Sequence, residues 1–237
     1  MDIKEAEILR DGVVDHWYYR SKARAVERLT RELKPTRLLD VGAGSGFFSR
    51  RLLDRSSAVE AWCVDPNYPA DSNIVENGKE IHFCRSIGPV DADLVLLMDV
   101  LEHVDDDVGL LRDAVNKASE KATFLISVPA FQFMWSGHDV FLEHKRRYTL
   151  AGLERVVEAT GLRIRHSTYF FAGVFPVALL VRLPRMLFGT SVKPASDMKV
   201  HSRPVNWILN AVSHAELKLV ARNRWFGLTA FCVATRE

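Results

Sequence analysis

Apolar residues in this chain gather in short runs, and between the runs they recur at helical spacing. Runs at Arg37–Val41, Val59–Val64, Ile81–Ser86, Ala92–Met98 and Thr123–Val128 predict strands. Helices are predicted near 47–55 and 107–118, the second with Val108, Leu111, Val115 and Ala118 as its buried stripe. Asp105, Asp106 and Asp107 stand at its start, where negative charge meets the positive end of the helix dipole. Upstream, Tyr19, Ala23, Val26, Leu29 and Leu33 predict a helix that Pro35 stops. Downstream, Thr149 is the expected N-cap of a helix carrying Leu150, Leu153, Val156 and Val157 and ended by Gly161. Leu162–Tyr169 and Leu228–Thr235 read as two more strands. The segment from Pro66 to Gly78 has no period and reads as a loop with a short helix. Strands this apolar, separated by helices, imply a parallel sheet covered on both faces, an α/β domain.

An insert of about residues 170–227 separates the last two strands. It opens on the apolar run Phe170–Val181, which Arg182, Pro184 and Arg185 interrupt well before the roughly 20 residues a membrane span needs. Lys193, Lys199, His201 and Arg203 follow, and then a helix through Ile208, Val212, Ala215 and Leu219. Three readings compete: a cap over a substrate pocket, contact of residues 170–188 with a membrane surface, or a dimer interface. Monomer and homodimer both stay open.

A chain of 237 residues buries enough surface to need no disulfide or metal staple. Its net charge of +2 implies no polyanion, so no nucleic-acid partner is expected. Cys63, Cys84 and Cys232 are odd in number, lie in strand-like runs and form no C-x-x-C pair. They read as buried free thiols in a reducing compartment, and no metal site is expected. The charged start Met1–Glu5 lacks an apolar signal core, so a cytoplasmic protein is expected.

The chemistry centres on Asp40-Val41-Gly42-Ala43-Gly44-Ser45-Gly46, between the first strand and the first core helix. Glycines there let backbone come close to a ligand, and the helix start offers unpaired N–H groups. The dinucleotide fingerprint is G-x-G-x-x-G, whereas here the third glycine comes one residue early. Asp65, at the end of the second strand and about 20 residues on, suits the two hydroxyls of a ribose.

These residues, with Asp99-Val100-Leu101-Glu102-His103-Val104, resemble the successive motifs of class I S-adenosylmethionine-dependent methyltransferases, from about residue 16 to the C-terminus. The resemblance implies a three-layer Rossmann-like sandwich with a seven-stranded, mostly parallel sheet and an antiparallel last strand. It implies S-adenosyl-L-methionine as cofactor, held by Asp40, Gly42, Ala43, Gly44, Asp65, Pro66, Met98, Asp99, Val100 and His103. It also divides the chain into an N-terminal helical lid (1–36), a cofactor-binding core (37–169), a helical cap insert (170–227) and the final strand (228–237). The cluster His16-Trp17-Tyr18-Tyr19-Arg20-Ser21 is similar to the family's lid, which would bring Tyr18 and Arg20 to the methionine carboxylate. Family members often place an acid after the third strand to grip adenine; this chain has Ser86 and Ile87 instead.

The long segment Val128–Thr149 is polar and aromatic, and long connections in compact domains are often functional. Its His144-Lys145-Arg146-Arg147-Tyr148-Thr149 is similar to a His-x-Arg-Arg-Tyr-Thr pattern of one methyltransferase subfamily, where the loop lines the acceptor pocket. Trp135, Arg147 and Tyr148 are then substrate-binding candidates. A hydroxyl acceptor must lose a proton, and histidine titrates near neutrality. His138 and His144 are the candidate bases, with Asp139 to orient one of them. The expected reaction is methyl transfer to an oxygen of a small-molecule, saccharide or carrier-linked acceptor. An amine acceptor, a nicotinamide-dependent oxidoreductase and a non-catalytic relative are the alternatives.

Overall fold

The computed structural model describes residue 8 and residues 10–188, 193–197 and 201–236. Eight strands form one sheet: β1 Arg37–Val41, β2 Glu60–Val64, β3 Ser72–Glu76, β4 Lys79–Cys84, β5 Leu94–Met98, β6 Thr123–Pro129, β7 Arg163–Phe170 and β8 Thr229–Thr235. Their spatial order is β3-β4-β2-β1-β5-β6-β8-β7. β8 runs antiparallel to both β6 and β7, as the resemblance implied. The helices are α1 Trp17–Thr30, α2 Phe47–Arg55, α3 Asp107–Lys117, α4 Gly137–Phe141, α5 Leu150–Glu158, α6 Phe175–Phe188 and α7 Arg203–Glu216.

Successive strand residues point to opposite faces, so each central strand feeds two cores. Leu38, Leu94, Leu96 and Leu125 pack with Tyr19 and Val26 of α1 and Phe48 and Leu52 of α2. On the other face Leu39, Val95, Leu97, Phe124 and Ile126 pack with Leu111 of α3 and Leu153 of α5. Caps fix the helix starts: Asp106 accepts from Gly109 N, and Thr149 from Gly152 N. Gly161, at φ +84°, follows the end of α5.

The sheet has eight strands where seven were expected. The extra one is β3, paired antiparallel with β4 through a turn at Asn77 (φ +53°) and Gly78 (φ +76°). Asn-Gly at positive φ is the favoured two-residue hairpin turn, because its twist matches that of the strands it joins. Four of the five β3 residues are exposed, so no alternation marks the strand, and the expected loop with a short helix at 66–78 is replaced by this hairpin. Cys84 is half-buried rather than buried, because β4 lies near the sheet edge.

The insert between β7 and β8 supplies α6 and α7. α7 lies along α1: Asn206 Oδ1 accepts from Trp17 N at 2.8 Å. Lys199 falls outside the described residues. Among the described residues no helix is long and apolar enough to cross a membrane.

Candidate active site

The strands β1, β2 and β5 end side by side, and the turns leaving them meet. Gly42 and Ala43 both donate to Val64 O, at 2.7 and 3.2 Å, which ties the glycine turn to the end of β2. Gly42 has φ +68°, and a Cβ there would lie 2.6 Å from Val100 Cγ2. The residue must be glycine for the turns after β1 and β5 to close on each other. Gly46, also left-handed, opens α2. Asp65 is buried at the tip of β2; it accepts from Gly44 N at 3.1 Å and from Asn67 N at 2.9 Å. Pro66 follows it, exposed.

Asp40 is buried beneath the turn. Ser49 donates to its Oδ2 at 2.7 Å, and its Oδ1 has no partner. Burial pushes its pKa up to about 6, against the Ser49 bond that lowers it. The glycine path, the Asp65 carboxylate and the unpartnered Asp40 oxygen fit a ligand with a backbone-hugging polar chain and a ribose. They are the residues present that could hold S-adenosylmethionine.

Asp99, the residue after β5, has φ +55°, an uncommon conformation for a side chain other than glycine. It forms an ion pair with Lys22 of α1, which is fully buried. Burial works against the Lys22 charge, but Asp99 and the Tyr18 ring system beside it raise its pKa above that of an ordinary lysine. Asp99 is correspondingly held below the usual carboxylate range despite burial, and Ser127 Oγ donates to its Oδ1 at 3.1 Å. Lys22 thus fastens α1 to the end of β5. Sequence reading missed it, although a lysine among Tyr19, Ala23 and Val26 on the apolar face of a helix is the signal that could have found it.

A cleft opens beside Asp99, lined by Tyr18, Glu102, His103, His138, His144 and Arg182, among others. His144 Nδ1 lies 3.0 Å from Asp139 Oδ1, a contact in which the ionised carboxylate accepts from Nδ1–H. Asp139 also accepts from Arg147 Nε at 2.6 Å, from the second Arg147 nitrogen at 2.9 Å and from Ser136 N at 2.7 Å. Burial opposes its charge, but bonds from His144, Arg147 and Ser136 hold its carboxyl well below the usual range. His138 Nδ1 accepts from Asp197 N at 3.3 Å. His144 meets the His103 ring at 4.7 Å and the His138 ring at 6.5 Å, both edge-on.

Glu102 is wholly buried, and neither of its carboxylate oxygens has a hydrogen-bond partner among the described residues. Burial first, then repulsion by Asp99, raises its pKa well above that of an ordinary glutamate. One ligand atom from each of Glu102, His103 and His144 lies within 4.8 Å of the others, a set able to hold a metal ion. Cysteine counting could not anticipate this cluster, since it contains none.

The insert contributes Arg182, Asp197 and His201 to the lining of the cleft. Arg182 of α6 donates to Met134 O and to Asp197 Oδ2, each at 2.7 Å, and Ala195 N donates to Gly137 O.

Three residues expected at the site, Arg20, Trp135 and Tyr148, are not among those lining the cleft, and a fourth, Arg147, reaches it with its charge already matched. Arg20 lies on the exposed side of α1, in a groove with Arg24 and Trp207. Two residues of helix, a rotation of about 200°, separate it from Tyr18 and carry it off the cleft, whereas Tyr18 stacks on Phe171 and lines it. Arg147 reaches the cleft, but its charge is matched by Asp139 and it also donates to Ala130 O. Tyr148 is buried with its hydroxyl on Asp107 Oδ2 (2.7 Å) and Leu101 O (3.2 Å), away from the cleft. Arg146 binds the same 104–107 turn. The Arg-Arg-Tyr segment therefore staples the loop to the structure beneath it. Trp135 is half-buried at the end of a short 3-10 turn and is not among the residues lining the cleft.

Comparison with known proteins identifies the family and the fold. Residues 14–167 match the family described as methyltransferase domain. Ubiquinone biosynthesis O-methyltransferase of Aeromonas salmonicida is 28% identical over 151 residues, covering 54% of this chain. The matched part spans 63% of the length of that curated relative. Among solved structures, phosphoethanolamine N-methyltransferase 2 of Haemonchus contortus superposes with TM-score 0.59 at 14% identity, over 99% of this chain and 57% of its own. A SAM-dependent methyltransferase of Archaeoglobus fulgidus gives TM-score 0.50 at 15% identity, over 91% of this chain and 93% of its own. At such identities the structures share the fold.

Proposed function

The chain belongs to the methyltransferase-domain family, in its class I form with S-adenosylmethionine as cofactor, and on that premise we propose that it methylates an oxygen of a small-molecule, saccharide or carrier-linked acceptor seated in the cleft over His144. The observation that carries this reading is the buried Asp139–His144 pair, which stands in the wall of the cleft beside Asp99. Gly42 and Gly44 would hold the cofactor by backbone, Asp65 its ribose, and Tyr18 and Asp99 would border its reactive end. When bound, the cofactor supplies an electrophilic methyl group on a sulfonium sulfur.

The remaining work belongs to the chain. The cleft walls hold the acceptor oxygen in line for displacement, and such positioning can account for much of a rate enhancement. His144 takes the hydroxyl proton on Nε2. Asp139, kept ionised by Arg147 and Ser136, holds the opposite Nδ1–H and balances the imidazolium charge that results. The cap formed by Arg182 and the 193–197 segment limits water in the cleft. His138 is a second candidate base, and its Nδ1 is already engaged by Asp197 N.

One observation favours a second route to the same end. The unpartnered Glu102 carboxyl, with His103 and His144, suits a divalent cation, and Asp139 behind His144 is the outer partner such ligands usually have. An acceptor hydroxyl bound there would lose its proton more readily. A neutral amine acceptor needs no base and would leave the His144–Asp139 pair without a role.

Isotopically methyl-labelled S-adenosylmethionine, incubated with the protein and a cell extract, should yield a labelled product with the label on oxygen. Transfer that survives His138→Ala combined with His144→Ala rejects the base. Loss of transfer on chelation, restored by a divalent cation, selects the cation route.

A further inference from the structure

Helix α7 sets mainly polar groups against α1, with Leu209 packed on the core among them: Asn206 accepts from Trp17 N and donates to Asp15 O, Asn210 meets Ser21, and Ser213 is buried. Glu216, at its end, accepts from Ala172 N and Gly173 N. The side facing away carries Val205, Trp207 (70% exposed), Ile208 (53%) and Val212, and Leu219 continues the line just past the helix. Helix α6 repeats the pattern with Val177, Leu180 and Val181, all more than half exposed at i, i+3, i+4 spacing. The two helices are joined at their bases, since Gly173 has no room for a Cβ against Val212 and Glu216 grips the backbone there. A globular chain rarely leaves two apolar helix stripes in water without a partner for them.

The charge beside these stripes identifies the partner. A groove of about 490 Å³ runs along Trp207, lined by Arg20, Arg24, Arg203 and His214, with Asp15 as its one acid. Arg24 is crowded enough that burial, and then Arg20 and Arg51, lower its pKa. Lys218 and Arg222 are also exposed, just beyond α7. We propose that the outer faces of α6 and α7 dock on an anionic lipid bilayer, with the apolar stripes in the interfacial layer and the arginines on lipid phosphates. A second copy fits less well, because a two-fold contact through this face would set these cations against their own counterparts. A bilayer of anionic lipid neutralises them instead, and an exposed tryptophan beside them is suited to the interface. Docking this face would present the cap, and the cleft beneath it, to molecules held in the membrane.

The test is flotation of the whole protein with vesicles of phosphatidylcholine containing one-third phosphatidylglycerol, and with phosphatidylcholine alone. Wild type should float with the anionic vesicles at low salt, lose most binding at about 0.5 M salt, and stay behind with the neutral ones. Ile208→Asp with Leu219→Asp should cut vesicle partitioning at least tenfold. Each of Arg24→Gln and Arg203→Gln should cut it about fivefold. All of these variants should bind S-adenosylhomocysteine as wild type does, since none of the residues lies at the cofactor crevice, so unfolding would be detected separately. Failure of wild type to float, or equal flotation of the double aspartate variant, overturns the proposal. So does a wild-type dimer that the aspartates dissociate while no vesicle is bound, which assigns the face to a second copy.

Discussion

Lys22→Met removes one half of an ion pair and leaves the other half in place. Lys22 has no exposed side-chain surface, while its partner Asp99 keeps 27% of its side chain exposed at the head of the cleft and, among the described residues, also accepts from Ser127 Oγ. A fully buried pair broken this way costs about 3–5 kcal/mol, and solvent at Asp99 reduces that to about 2–3 kcal/mol, still a large share of the stability of a domain this size. At about 2–4 °C per kcal/mol, the midpoint of thermal unfolding should fall by about 4–12 °C. The pH dependence has a definite sign. Lys22 depresses the Asp99 pKa in the folded state, so the pair's stability is present above the unfolded carboxylate value and disappears as pH falls through the folded one. The variant should therefore lose its deficit relative to wild type in acid. Lys22→Met with Asp99→Asn removes both charges and should recover most of the stability, because an uncharged pair in this place needs no compensation. Urea unfolding of the four proteins of the cycle is the assay. A single-variant cost below about 1 kcal/mol, or a double variant no better than the single, refutes the reasoning.

Three further outcomes follow from particular contacts. His144→Ala should lower methyl transfer by about 10²–10⁴-fold while S-adenosylhomocysteine binds unchanged in calorimetry, and a drop of less than tenfold rejects the proton-acceptor role. Gly42→Ala should destabilise by about 2–4 kcal/mol in urea unfolding, from the positive φ and the 2.6 Å approach to Val100, and Val100→Ala in the same chain should relieve part of it. Asp40→Asn should gain on wild type as pH rises: the raised Asp40 pKa of about 6 means its favourable contribution is present in acid and lost through that value, a swing on the order of 3 kcal/mol. Urea midpoints of both proteins at acid and neutral pH measure that swing.

What the sequence disclosed follows from physics that repeats along it. β1 and α2 begin and end where expected, because buried parallel strands are continuously apolar and the glycine turn marks their junction. β3 escaped because an exposed edge strand has no buried face to impose alternation, and only Asn77-Gly78 betrayed it. In the site, the position of Asp65 at the tip of β2 and the closeness of Asp139 to His144 were legible, because a strand end and a short sequence separation fix them. The internal partners of Arg147 and Tyr148 were not legible, because local sequence cannot say whether a polar side chain is satisfied from within. Asp139 and Asp107 lie eight and forty-one residues from the groups they satisfy. Lys22 and Glu102 were overlooked for a related reason, since a charge inside the fold is defined by what surrounds it. The spacing of Ile208, Val212, Ala215 and Leu219 correctly gave a helix, but periodicity cannot tell an inward stripe from an outward one, and Ile208, Val212 and Leu219 all face out.

The account rests on a nucleoside seated against the turn after β1 with its sugar on Asp65. Calorimetric titration of S-adenosylhomocysteine into wild type and Asp65→Ala tests this most directly, with urea unfolding to verify that both are folded. Loss of two charge-assisted hydrogen bonds should weaken binding by at least about 10²-fold in the variant. Equal affinity in the two proteins, or no binding to wild type, would contradict the account.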